Sequence, residues 1–600
     1  MSFIGNQFHD NVRYGFDPHD FTHDVLVEDN LSYNNGAHGF IISRGCNNFT
    51  FRNNRAYNNV NPDPVDQAHG FMLDPGSPNA SSPQAPSTNN LLENNIAYGN
   101  EGAGLRILGS VNNQIMANHF YQNDKGIVID AKSTANILDS NVITKNVGYG
   151  LVTQDTADDN TITNNNVTGN GDHGLYLHSN RNLISGNTAT NFPGAIRSFS
   201  AGIVTLTNCT VANNKSNGAV GGLQAVGTSE IQLRNTILAG NIGPNLVNSG
   251  GTITSLGNNL SNDGANGFLT VAGDLVNTNP LISALGNYGG PTPTHALLPG
   301  SPAIDAGTST GAPTSDQRGS ARVGSVDIGA FESQGFTLAV NGGTPQTAAV
   351  LSNFAQVLSV SVTANASNEP VDGGKVLFAA PVSGASASIG GNPATISGGL
   401  ASSGTVTANS TTGGPYPVTG TANGAGSAAS FSLTNACQTI MVSNPSSTIG
   451  YAGLPFSYFF GQVGAIGNAT FTTTSPLPSG LTLGTDGLLN GIPGQTGNFP
   501  IVVKVTDSNG CTGFSATYNL VINCQVITVT NPATSTGTAG SSFSQQFNFS
   551  TSLPMLASPT APSPSLLSAT ERVNVAQAIS NNQFTLNSGS LPAGLTLSSS

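Results

Sequence analysis

Glycine recurs through the first third of this chain with a spacing that leaves few folds open. Gly15, Gly39, Gly70, Gly104, Gly126, Gly150 and Gly174 lie 24, 31, 34, 22, 24 and 24 residues apart. The two long intervals hold Pro-rich inserts, near Asn61–Gln67 and Pro75–Asn89. A second row, Asn6, Asn30, Asn54, Asn95, Asn118, Asn141, Asn166 and Asn187, runs mostly 21 to 25 residues apart. Self-similarity at such a period marks a solenoid. One asparagine per turn, stacked on its neighbours, is the ladder expected along a parallel β-solenoid. Leucine-rich repeats share the period but need a leucine frame that is missing here. The expected fold is therefore all-β, opening with a right-handed parallel β-helix.

The residues after each glycine alternate. The first position (Phe16, Phe40, Phe71, Leu105, Ile127, Leu151, Leu175) and the third (Pro18, Ile42, Leu73, Ile107, Ile129, Leu177) are apolar or nearly so, and should point inward. The residue before the glycine, and the second and fourth after it, then face outward. With coils about 4.8 Å apart, the outward rows of the opening coils read Tyr14–His38–His69, Asp17–Ile41–Met72–Arg106 and His19–Ser43–Asp74. Asp20 and Arg44 lie just beyond, and Lys125 further along. Residues distant in sequence are thereby gathered into one polar patch. In later coils the outward positions hold Tyr149, Gln154, His173, Tyr176 and His178, without the same density of acid, base and cation, and read as solvated surface.

Composition narrows the function classes. Only 8% of residues are charged, the formal net charge is -13, and there are 74 glycines and no tryptophan. Glycine, asparagine, serine and threonine disfavour long helices and suit short strands joined by turns. The Lys/Arg clusters that nucleic acid requires are absent. No apolar run approaches the roughly 20 residues of a membrane span, and residues 1–20 lack the pattern of a signal peptide. The chain opens inside a repeat, and Leu591–Leu597 restates Leu477–Leu483 without its continuation. It reads as a window on a longer secreted or cell-surface protein whose signal peptide lies outside it.

The stretch Tyr14–Asn59, and more weakly the chain to about Asn187, resembles the mannuronan C5-epimerases, alginate-modifying β-helix enzymes. The resemblance rests on Tyr-Gly-Phe-Asp-Pro-His-Asp at 14–20 and His-Gly-Phe-Ile-Ile-Ser-Arg at 38–44. It implies that His19 takes part in proton transfer at the sugar C5, that Tyr14 lies beside the reacting sugar, that Asp17 is needed, and that Arg44 neutralises the substrate carboxylate. Ser43 stands where the calcium-dependent secreted branch has aspartate, and Arg44 follows the periplasmic branch. No calcium-binding nonapeptide array and no metal-ligand spacing is present, so no cofactor is called for and a calcium requirement stays open.

The chemistry explains why such residues belong together. A C5 proton beside a carboxylate is weakly acidic, because its removal builds a second negative charge on one group. A cation at that group, here Arg44, lowers the cost as an oxyanion hole does, and a base titrating near neutrality, here His19, takes the proton. Asp17 or Asp20 would orient the base, and Tyr14, His38 or a held water would return a proton from the opposite face. His38, His69, Asp20, Asp74, Arg106 and Lys125 would bind an anionic polysaccharide, a polyuronate. If the C4–O bond broke instead, the same carbanion would make the protein a polysaccharide lyase. A non-enzymatic adhesin or carbohydrate binder is the third reading.

From Gly194 the coils become more apolar and lead into Gly289–Gly307, Asp316–Gly319 and Asp327–Glu332. That run resembles the choice-of-anchor Q module of bacterial surface proteins, with Asp305, Asp316 and Arg318 bracing loops. Alternating Val/Thr/Ser segments beyond it suggest Ig-like sandwiches. The expected divisions are a catalytic-type β-helix (1–193), a second β-helical segment with the anchor module (194–334), an Ig-like domain (335–436), an Ig-like repeat (437–523) and a partial repeat with an insert (524–600). The five cysteines include Cys437 and Cys511, placed to bridge within one repeat in an oxidising compartment, while Cys524 lacks its counterpart.

Overall fold

The computed structural model describes residues 1–18, 20–63, 67–77, 83–154, 156–179, 182–190, 194–199, 202–214, 220–530, 542 and 547–552. From Ser2 to Ser261 the chain winds into three parallel sheets of 11, 11 and nine strands. One coil comprises Leu26–Glu28, Leu31–Tyr33 and Phe40–Ile42, a strand from each sheet. Consecutive coils pair in register, with Phe40 opposite Phe71 and Phe71 opposite Leu105. The residues expected inward after each glycine line the core: Phe16 is 6% exposed, and Phe40, Phe71, Leu105, Ile127, Leu151 and Leu175 are 2% or less. The Phe40 and Phe71 rings stack with centroids 5.1 Å apart, close to the roughly 4.8 Å strand spacing.

Asparagine pairs make the corners. Asp29, Asn34, Asn53, Asn58 and Asn94 all adopt φ between 53° and 56°, left-handed backbone that asparagine and aspartate tolerate best among non-glycine residues. Each is followed by an asparagine turned into the solenoid. The Asn54 backbone N–H and Nδ2 both donate to Asn95 Oδ1 at 2.9 and 3.0 Å, and Asn95 Nδ2 donates to the Phe51 carbonyl at 2.9 Å. Among the described residues three such ladders run along the coils rather than the one expected. The others extend from Asn11 to Asn170 and from Asn90 to Asn182. One member of the expected ladder is corrected: Asn165, not Asn166, bridges Asn141 to Asn187. The left-handed residue is Asn164, which turns Asn165 inward and places Asn166 at the start of a strand.

The segment after the last coil folds back on the solenoid. Gln317 and Thr294 meet Thr188 at 2.8 and 3.1 Å, and Asn208 donates to the Asp327 carbonyl. Asp316 accepts from Arg318 Nε at 2.8 Å and from the backbone of Arg318, Ser320 and Glu332, while Asp305 accepts from Ser325. These groups brace loops, as expected. An eight-stranded sheet follows, from Phe336–Gly342 to Ala429–Ala436, and then a set of small sheets in which Cys437 and Cys511 form the expected disulfide. The described residues of 524–600 form one hairpin, Val526–Thr530 with Asn548–Ser552. Among the described residues no helix is long and apolar enough to cross a membrane.

Candidate active site

The nine-stranded sheet carries the residues singled out by the sequence. Its opening strands are only three residues long, so each coil sets its side chains through the register of the next. Ile41 lies opposite Met72, and Met72 opposite Arg106. Just before the strands, Tyr14, His38 and His69 form a continuous stack. The Tyr14 and His38 centroids are 5.5 Å apart at 20°, and those of His38 and His69 are 5.0 Å apart at 10°. Arg13 lies over Tyr14 and donates to its hydroxyl at 3.2 Å.

Backbone amides fix both imidazoles. The His69 N–H points at His38 Nδ1 (3.1 Å), and the Ala103 N–H points at His69 Nδ1 (2.8 Å). A nitrogen that accepts cannot carry the proton, so each neutral ring bears it on Nε2. His69 is 3% exposed and its Nε2 has no hydrogen-bond partner among the described residues. Burial, then the nearby His38, Arg106 and Lys125, pushes its pKa well below the usual histidine range. His69 is therefore a neutral ring with an unused N–H donor. Gly102 makes room for it, since a Cβ there would sit 2.3 Å from Nδ1.

The remaining candidates are arranged around this stack or beyond it. Asp17 is exposed and accepts from Ser43 Oγ at 2.5 Å. Arg44 is 9% exposed, with Nη1 on Asp20 Oδ2 at 2.6 Å and Nη2 on the Ser77 carbonyl at 2.5 Å. Its Nε is buried without a partner among the described residues. Asp74 Oδ1 accepts from the Gly76 amide at 2.9 Å. Arg106 pairs with Asp130 at 2.8 Å and Lys125 with Asp124 at 2.5 Å, in the coils after His69. His19 lies outside the described residues.

Two features differ from the sequence reading or escaped it. Ile41 and Met72, expected to face solvent, are 3% and 4% exposed, and Val128 and Val152 in the same row are 7% and 1% exposed. The outward side of this sheet is packed at its centre, and the run of apolar residues at the second position after glycine was the available signal. The tautomers of His38 and His69 had no such signal, because amides one coil away fix them. Chemically, the stack holds the neutral N–H of His69 and a phenol beside a row of buried apolar side chains, flanked by charge pairs. That combination suits an anion whose charge grows during reaction.

Comparison with known proteins agrees with the architecture. The family described as "Right handed beta helix region" matches residues 1–80, 84–167 and 154–279, and the family described as "Putative Ig domain" matches 438–523. The fold is thus the expected right-handed parallel β-helix followed by an Ig-like region. Mannuronan C5-epimerase AlgE5 of Azotobacter vinelandii is 38% identical over 95 residues, 16% of this chain and 8% of that protein. The mannuronan C5-epimerase of Pseudomonas fluorescens is 46% identical over 56 residues, 9% of this chain and 11% of that protein. This chain therefore spans only a small part of the length of the curated relatives it matches. Among solved structures, the A-module of Azotobacter vinelandii mannuronan C-5 epimerase AlgE6 aligns over 39% of this chain and 65% of its own, at 18% identity and a TM-score of 0.27.

Proposed function

We propose that the β-helix is a C5-epimerase of a mannuronan-type polyuronate, exported to the bacterial surface or beyond. The observation that carries this reading is the Tyr14–His38–His69 stack with its buried, unused Nε2–H, in a chain whose partial relatives are mannuronan C5-epimerases. In this reading a small shift of the buried His69 ring brings its Nε2–H to the substrate carboxylate, while Arg106 and Lys125, each paired with an aspartate, line the next coils. As the C5 proton leaves, the electron pair of the C–H bond moves onto the carboxylate. A donor already aimed there favours that state over the ground state. His19 or Tyr14 takes the proton from one face, and the other, or a held water, returns one from the opposite face. No bond to oxygen breaks, and the product is the C5 epimer.

Arg44 enters this proposal as a positioning residue. The resemblance implied a cation for the carboxylate, but its guanidinium holds Asp20 and the Ser77 carbonyl. It ties the loop bearing Asp17, Pro18 and Asp20 to the insert after Asp74. The likeness of residues 289–332 to an anchor module, and the Ig-like region beyond, support placement of residues 1–193 as the catalytic part of a surface protein.

The test is incubation of the full chain with polymannuronate, following guluronate by proton NMR and unsaturated ends by ultraviolet absorbance. His69→Gln should lower kcat about 10²–10³-fold, the usual loss for one aimed donor. Unsaturated ends would transfer the site to the lyase reading. Neither product from folded protein would leave the adhesion or binding reading.

A further inference from the structure

Three coils beyond His69, the same sheet gathers a second group of side chains. The outward row reads Arg106, Val128, Val152, Tyr176, Arg197 and Gln224, each in register with the next. Tyr149 stacks obliquely on Tyr176 at 5.0 Å, and the Arg197 guanidinium lies over Phe199 at 5.9 Å. Phe199 is 38% exposed, unusual for a phenylalanine on a strand. Tyr149 and Tyr176 are half-buried.

Charge separates Arg197 from the other strand-borne cations of this row and its neighbour. Arg106 holds Asp130 and Lys125 holds Asp124. Arg197 makes no ion pair and no hydrogen bond among the described residues, and its Nε is buried without a partner. A cation over an aromatic ring, with no ion-paired carboxylate among the described residues and with the nearby Asp172 engaged by the Tyr149 hydroxyl, can take an anion. The rings beside it offer apolar faces to the C–H side of a sugar. Between this group and Arg106 the row holds the buried Val128 and Val152, with no charged side chain at either position. The four coils from Arg106 to Arg197 span about 19 Å at the strand spacing of 4.8 Å, so one ligand touching both must be a polymer.

We propose that Tyr149, Tyr176, Arg197 and Phe199 form a non-catalytic subsite that holds a distant stretch of an acidic polysaccharide along the solenoid. The inference rests on the polyuronate reading for the class of ligand, but not on the chemistry at C5. Uronate carboxylates pair with Arg197, and sugar rings lie against Tyr176 and Phe199. A polymer bound here stays on the protein while its other end occupies the Tyr14–His38–His69 stack, which raises its effective concentration there.

Calorimetric titration of the full chain with polymannuronate, and with neutral mannan as reference, tests this. Arg197→Gln should weaken polymannuronate binding roughly 5- to 10-fold, the loss of one charge-assisted contact, and abolish most of the preference over mannan. Phe199→Ala, at an exposed position, should weaken it in the same direction and serves if the arginine variant does not fold. In combination with His69→Gln the losses should multiply, because the sites share no contact. Wild-type affinity in both folded variants overturns the subsite, as does a wild-type chain that binds no polymannuronate. Binding that depends on Arg197, without any epimerised product, keeps the subsite and removes the epimerase.

Discussion

Asp20→Ala separates two roles for Arg44, one in chemistry and one in holding the loop. The guanidinium is almost fully enclosed, with Asp20 at 2.6 Å, the Ser77 carbonyl at 2.5 Å and the backbone of Gly76 packed against it. Removing the carboxylate leaves a nearly buried cation with one carbonyl partner. Breaking a fully buried pair costs about 3–5 kcal/mol. The Asp20 side chain is 31% exposed, so water replaces part of what is lost, and about 1–3 kcal/mol is the expected destabilisation. Arg44→Met combined with Asp20→Ala should recover most of it, since the enclosed charge is gone and the methionine fills similar space. Urea unfolding followed by tyrosine fluorescence measures this, with Tyr14, Tyr33, Tyr57, Tyr98, Tyr121, Tyr149 and Tyr176 reporting on the solenoid in a chain without tryptophan. An unchanged midpoint for Asp20→Ala, together with a loss of turnover beyond 10²-fold, would refute the positioning role and put the pair in the reaction itself. A double variant no more stable than Asp20→Ala would refute the burial argument.

Two further outcomes follow from the coils. The buried His69 is held neutral, with its folded pKa depressed, while the unfolded ring takes a proton near pH 6.5. The unfolded state thus binds more protons between those two values, so stability falls as pH drops below about 6.5 and levels off below the folded pKa. The buried His295 contributes a slope of the same sign, and urea midpoints of His69→Gln against wild type isolate the His69 share; identical pH slopes would contradict the neutral ring. Asn95→Ala removes four hydrogen bonds linking Asn54, Phe51 and Asn118 at a position 1% exposed. At about 1 kcal/mol for each orphaned partner the loss is roughly 3–4 kcal/mol, read as a lowered thermal midpoint of the solenoid, and a shift under 1 kcal/mol would mean that water enters the corner.

Period carried most of what the sequence could say. The glycine spacing specified the coils, and with them the inward row and the meeting of Tyr14, His38 and His69. The same period already held the pairing of Arg44, because Asp20 precedes it by 24 residues, one coil, while Asp130 lies on the coil after Arg106, two residues beyond its register partner Val128. Read for chemistry alone, each of those cations looked available to a ligand; read for period, each had a carboxylate one coil away. Arg197 is the contrasting case. The position one coil before it is Tyr176 and the one after is Gln224, so neither repeat supplies an acid. Where the period failed, the cause was local: a run of three asparagines, Asn164 to Asn166, left open which one turns inward until the left-handed backbone of Asn164 decided it. The histidine tautomers lay beyond any pattern, since they depend on the aim of single amides at His69 and Ala103. A solenoid thus makes contacts between coils legible as arithmetic, and leaves to the structure the proton positions on which its chemistry turns.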